Sequence, residues 1–434
     1  MMRSMAFPSL THLRRLWPAK GSFSAHVLTL MTGTTLAQGL IIAAAPILTR
    51  LYTPEDFGVY AIFLSLTGIL SVLATGRYEF AIMLPHRDEE AANLLALSGL
   101  ISLGLSALVL VIVVCCRQQL AALLRAPELA PWLWWAPLSI LLAGCSQALN
   151  YWNNRRQQYA RLAVSRGGQA GGTVGVQLGA GLLGPAGAGS LIAGNLVGQA
   201  LSVALLSRLT GKQDVQALQQ AVSPTAIRRQ AREYRRFPLY DTWAGLANLG
   251  AHQLPPLFLN FFFGAATAGF FSLGYRVLNL PLTLINTSFA QVFFQRYEEK
   301  RKSGGKREFL LYTLKLLTAL TAFPALLLFL FSPWLFGVVF GPEWRVAGDY
   351  VRILTPLLLC RFIASPVSTV LWSEGKNSWL LGWQGSLLTA TVLAFPLGGL
   401  LGGAALALTL FSAFGSGLYL LCIILVLQAV GSET

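Results

Sequence analysis

Charge is what this chain has least of: only 11% of its 434 residues are Asp, Glu, Lys or Arg. An ordinary soluble domain carries about 25%. With 55% hydrophobic residues and a mean hydropathy of +0.60, this excludes a water-soluble globular fold. Histidine is scarcer still, with 4 in all. The 5 cysteines, Cys115, Cys116, Cys145, Cys360 and Cys422, lie in or beside apolar runs without Cys-x-x-Cys or His-rich spacing. No disulfide framework and no metal site is expected from them. The acids are mostly loop residues and no nucleophile has a neighbouring base, so the reading is of a non-enzyme without a cofactor.

What is present is a succession of apolar runs, about twelve, each near the 20 residues a helix needs to cross roughly 30 Å of hydrocarbon. They are expected at Val27 to Thr49, Phe57 to Gly76, Leu94 to Cys116, Pro131 to Tyr151, Gln169 to Leu183 and Ala188 to Ser207, then at Leu239 to Phe263, Gly269 to Phe293, Phe309 to Phe331, Tyr350 to Leu371, Trp379 to Gly398 and Ala404 to Leu427. The fold class is therefore all-α, a polytopic integral membrane protein. The domain reading is a basic tail at 1–26, six spans over 27–207, a linker at 208–237, six spans over 238–428 and a short tail at 429–434. The linker is rich in Gln and Arg and is expected to be helical along the membrane surface.

The excess of 32 Lys+Arg over 17 Asp+Glu does not form the single basic face of a nucleic-acid binder, and no nucleic-acid partner is expected. It falls in alternate loops. The tail, Arg77, Arg87, Arg155, Arg156, Arg161, Arg166, the linker, Arg296 to Arg307 and Lys376 share one side, against Arg50, Arg117, Arg125 and Arg345 on the other. The positive-inside rule then places both termini in the cytoplasm.

The two halves look related. Pro46 in LAQGLIIAAAPILTRLYTPEDFGVY falls opposite Pro256 in LANLGAHQLPPLFLNFFFGAATAGFF, and Gly58 falls opposite Gly269 after a one-residue slip. Two six-span units in the same orientation would be related by an axis along the membrane normal, with a substrate path between them.

Chemistry centres on the hairpin Phe237 to Arg296, whose two segments meet at a turn over Gly264 to Gly269. Arg276 sits in the second segment, roughly 10 Å beyond that turn. A cation there costs about 2.5 to 3.5 kcal/mol on insertion scales, so it either faces a wet cavity or snorkels outward. Arg361, deep in the tenth span between Pro356 and Pro366, is harder to snorkel. His252, beside the Pro255-Pro256 break, titrates near neutrality when unperturbed, and together with Asp241 is the candidate proton carrier. A structural, hydrogen-bonded histidine is the alternative. Arg50, Arg77 and Glu79 stand at span ends as gate charges or as boundary anchors.

Two motifs are set aside. GAGLLG at Gly179 to Gly184 follows no strand, and Gly171, Gly175 and Gly179 read as a close-packing helix face. The sequon at Asn286 lies within a span.

LTRLYTPEDFGVYAIFLSL, RYEFAIMLP, FPLY and YRVLNLPLTLINTSFAQVFFQR together resemble the polysaccharide transporter branch of the multidrug, oligosaccharidyl-lipid and polysaccharide flippase superfamily. That resemblance implies two six-helix lobes around a central cavity that opens alternately to each side. It implies a bacterial inner-membrane protein that carries undecaprenyl-pyrophosphate-linked oligosaccharide, such as an O-antigen unit, between leaflets. Membrane lipids, a glycan polymerase and a chain-length regulator would be its partners. Arg50, Arg77, Glu79 and Arg276 fall in motif positions, whereas Arg361 and His252 come from the residues alone. A cation-coupled multidrug exporter is the alternative within transport, though its cargo wants acids in the spans. A glycan polymerase or ligase is the alternative among enzymes, though it would be expected to carry a larger outer loop.

Overall fold

The computed structural model describes residues 23–184, 186–210 and 221–431, so most of the expected N-terminal tail, Lys212 and the last three residues lie outside it. The first half runs α1 (Phe23–Leu51), α2 (Pro54–Ser71), the one-turn α3 (Tyr78–Ala81), α4 (Asp88–Leu123), a 3-10 segment (Pro127–Trp135), α5 (Ala136–Arg155), α6 (Tyr159–Leu183) and α7 (Ala188–Leu209). The linker carries α8 (Pro224–Glu233). The second half runs α9 (Thr242–Phe263), α10 (Ala265–Ser303), α11 (Lys306–Val339), α12 (Arg345–Val367), the short α13 (Val370–Ser373), α14 (Asn377–Leu401) and α15 (Ala404–Gly431).

Local chemistry sets several of these boundaries. Thr53 caps α2 in a capping box: its hydroxyl accepts the Asp56 N–H at 3.2 Å while Asp56 accepts the Thr53 N–H at 3.0 Å, with Pro54 at the first helical position. The expected turn over Gly264 to Gly269 is in fact Gly264 alone, at φ 88°. Arg276 therefore lies roughly 16 Å along α10, near mid-depth of a bilayer instead of close to its edge.

The chain is an all-α polytopic membrane protein, with about twelve long helices in two lobes. Among the described residues, eight helices are long and apolar enough to cross a membrane by length and composition alone. The four others, α2, α6, α9 and α10, carry polar residues such as Asp56, Arg166, His252 and Arg276. These four also line the interior, so their weaker hydropathy marks the wet side of the molecule. By contrast, α11 keeps Leu320, Phe323 and Leu330 exposed on its outer surface, as a lipid-facing helix would.

The lobes meet through α2 against α9 and α10. A Cβ on Gly58 would run into the Ala265 carbonyl oxygen, and a Cβ on Gly269 into the Pro54 carbonyl oxygen. Only glycine permits that approach. At the same end the Trp344 indole, buried between Phe57 and Phe270, donates to the Thr49 carbonyl at 3.0 Å. Asn260 donates to the Leu124 carbonyl at 2.8 Å, and the Arg125 guanidinium lies 4.4 Å over the Phe261 ring. The end opposite the arginine-rich one is thus sealed between lobes.

The glycine stripe of α6 is corrected by one position. Gly171, Gly175 and Gly179 face open space, whereas Gly172 meets Gly198 of α7 and Gly168 meets Leu205. The fourfold spacing is right, but the packed face is the neighbouring one, because each residue turns the helix by about 100°.

Candidate functional site

Tyr275 and Arg276 are neighbours on α10 and point to opposite sides of it. Arg276 enters a chamber of about 510 Å³ on the N-terminal side, lined from α1, α2 and α6. Tyr275 enters a chamber of about 310 Å³ on the other side, lined from α9, α12, α14 and α15. One helix is the wall between them.

In the first chamber the Arg276 guanidinium sits 5.5 Å over the Tyr60 ring, a contact that steadies a cation without neutralising it. A second guanidinium, Arg166 of α6, lines the same chamber and donates to the Thr34 hydroxyl. Gln38, Gln169, Thr173, Gln177 and Asn195 supply the polar lining, and no acid is among the lining residues. Sequence reasoning assigned Arg166 to a loop. The stripe Arg166, Gln169, Thr173, Gln177 was the available signal, since those positions fall on one helical face.

Arg361 occupies the second chamber, where it donates to the Tyr275 hydroxyl. His252 and Asn248 of α9, Trp383 and Gln384 of α14 and Tyr419 of α15 face the same space. Arg361 also borders an adjoining cavity of about 260 Å³ lined by Asn279, Thr283 and Asn286. Arg276 and Arg361, read as one pair of anion ligands, are therefore brought to two separate chambers.

The other expected residues lie outside both chambers. Arg50 is exposed at the sealed end. Asp241 is exposed where α9 begins, roughly 16 Å along the helix from His252, so no hydrogen bond joins them. Arg77 and Glu79 form a cluster at the arginine-rich end. Glu79 is 1% exposed, accepts from the Thr75 hydroxyl and lies 3.8 Å from Arg77. Burial raises the Glu79 carboxyl above the usual carboxylate range, with Thr75, its own backbone and Arg77 pulling the other way. Arg77, at φ 63° and stacked 5.1 Å over Phe80, rests against Gly245 of α9, where a Cβ would overlap its guanidinium. It is a contact from one lobe to the other.

Residues 47–349 match the family described as "Polysaccharide biosynthesis protein". The chain belongs to that family. Within the polysaccharide biosynthesis proteins, it is 26% identical to the succinoglycan biosynthesis transport protein ExoT of Rhizobium meliloti (strain 1021), over 83% of this chain and 71% of that one. It spans 33% and 29% of the length of two other curated relatives that it matches. The solved structures that share its fold include two of note. One is the inward-facing conformation of a multidrug resistance MATE family transporter of the MOP superfamily, at TM-score 0.71 and 15% identity, covering 93% of this chain and 95% of that one. The other is the lipid II flippase MurJ in its inward closed conformation, at TM-score 0.68 and 14% identity, covering 94% and 88%. The family model places the chain among polysaccharide biosynthesis proteins, and these solved structures share its fold.

Proposed function

We propose that this protein is a flippase for lipid-linked oligosaccharide repeat units, moving the undecaprenyl-pyrophosphate headgroup and its sugars between the leaflets of a bacterial inner membrane by alternating access. One observation carries the reading: two guanidiniums, Arg166 and Arg276, line one chamber with no acid among its lining residues. A pyrophosphate is a compact polyanion, and the planar fork of arginine binds phosphate oxygens in pairs. Sugar hydroxyls stripped of water cost several kcal/mol each in hydrocarbon, so unaided crossing is slow. A polar chamber removes that barrier while the isoprenoid tail stays in lipid.

The names of the relatives support a cargo of this class, since ExoT is a transport protein of polysaccharide synthesis and MurJ a lipid II flippase. Neither chamber offers a carboxylate to a drug cation. On the positive-inside rule we place the arginine-rich end, and both termini, in the cytoplasm. Arg77 and Glu79 then guard the cytoplasmic mouth, and polymerase and chain-length regulator would act on the far side.

The test is deletion of the gene followed by localisation of undecaprenyl-linked oligosaccharide. Single repeat units accumulating on the cytoplasmic face, with surface polysaccharide lost, are expected. Accumulation on the outer face would overturn the reading, because translocation would then proceed without this protein.

A further inference from the structure

The chamber behind Tyr275 has no part in holding the pyrophosphate, yet it is chemically the more specialised of the two. Its strong cation is Arg361, and no Asp or Glu lines either the main space of about 310 Å³ or the adjoining one of about 260 Å³. Together they have the size of a small-molecule site. A guanidinium held at such depth without an acid partner is costly and needs a ligand or water to justify it. Among the described residues its hydrogen bond is to the Tyr275 hydroxyl, made by one of its five donors.

The rest of the lining is suited to a sugar. Trp383 and Tyr419 pack edge to face at 5.4 Å, and the Trp383 indole is fixed by donation to the Leu418 carbonyl at 2.8 Å. A locked aromatic pair is a rigid apolar platform for the C–H face of a pyranose. Around it, Gln384 offers both donors and acceptors, and the Oδ1 of Asn286 is a buried acceptor without a partner among the described residues, ready for a hydroxyl.

Charge count separates the two chambers. Two guanidiniums suit a diphosphate, whereas one suits a monovalent anion. We propose that the chamber around Arg361 is a saccharide subsite that recognises a carboxylate on the glycan, so that the cargo carries an acidic sugar. This rests on the flippase reading. It adds a second anion site, separated from the first by the thickness of α10, which discriminates between glycans where the first recognises the lipid carrier.

The experiment uses the purified full-length protein in detergent and three soluble probes: a hexuronate-containing disaccharide, the neutral disaccharide of the same linkage, and inorganic pyrophosphate. Wild type is expected to bind the acidic disaccharide about tenfold or more tighter than the neutral one, the effect of one charge-assisted hydrogen-bond pair. Arg361→Gln should bring that ratio to about one, and Arg361→Lys should keep part of it, which separates charge recognition from a folding defect. Pyrophosphate binding should be lost in Arg276→Gln and kept in Arg361→Gln. A ratio near one in wild type, or a ratio unchanged in Arg361→Gln, overturns the proposal. Absence of pyrophosphate binding in wild type would instead remove the headgroup site, leaving the sugar preference to be judged on its own ratio.

Discussion

Gly58 and Gly269 pack against each other's helices reciprocally: Gly58 lies on the Ala265 carbonyl and Gly269 on the Pro54 carbonyl. Each glycine stands four residues beyond the carbonyl that meets the other, so the two helices approach through matching turns. The two glycines that the sequence alignment of the halves pairs are thus the two that touch.

A side chain at this crossing should block closure of the sealed end. Gly269→Val is expected to reduce surface glycan about tenfold or more while the protein remains in the membrane, overpacking here costing about 1 to 3 kcal/mol. Surface polysaccharide staining beside an immunoblot measures both. Normal glycan with Gly269→Val would show that the crossing is not used in transport.

For the headgroup chamber, Arg276→Ala and Arg166→Ala should each weaken export by roughly 10- to 100-fold, the loss of a charged hydrogen bond being worth about 1.5 to 3 kcal/mol. Arg276→Lys should recover only part, because an ammonium cannot grip two oxygens in a plane. Quantifying lipid-linked repeat units on the cytoplasmic face checks this. Equal export by Arg276→Ala and wild type would take the residue out of the mechanism.

Much of this site could be read from the sequence, but not its partition. Arg276 and Arg361 stood out because a cation inside an apolar run is costly wherever it points. Which chamber each one enters depends on a helix rotation of about 100° between Tyr275 and Arg276, and that is fixed by packing on α2 and α12 instead of by any local pattern. Arg166 was hidden for a different reason: α6 is too rich in glycine to show where a span begins, so an interior arginine looked like a loop residue. The same ambiguity misplaced the packing face of Gly171, Gly175 and Gly179 by one residue.

The Glu79 cluster gives a pH dependence with a definite sign. Burial raises the carboxyl above its reference of 4.5, so the fold favours the protonated form. The stability that this contributes is complete below the reference value and is lost as pH rises through the raised one. Thermal unfolding of the purified protein should therefore occur at higher temperature on acidification toward the carboxylate range, and Glu79→Gln should flatten that slope. An unaltered slope in Glu79→Gln would assign the dependence to other groups.

At the arginine-rich end of α10, Tyr297 is fully buried and donates to Glu374 at 2.6 Å, while Lys306 approaches the same carboxylate at 3.3 Å. Tyr297→Phe leaves one oxygen of a buried carboxylate without a neutral donor and should destabilise the protein by about 1 to 3 kcal/mol. Denaturation of wild type and variant, compared by tryptophan fluorescence, measures it. Equal stability would mean that Lys306 alone satisfies Glu374.

The two arginines of the headgroup chamber, Arg166 and Arg276, also have an electrical consequence. On the flippase reading, the empty carrier holds about two positive charges in the field, while the loaded one is nearly neutral because its cargo brings the balancing anion. A membrane voltage acts with about 2.3 kcal/mol per charge per 100 mV of the drop that is crossed. The return of the empty protein, and not the loaded stroke, is then the step that voltage governs, so a cell that loses its membrane potential would change the export rate without any change in affinity for the glycan.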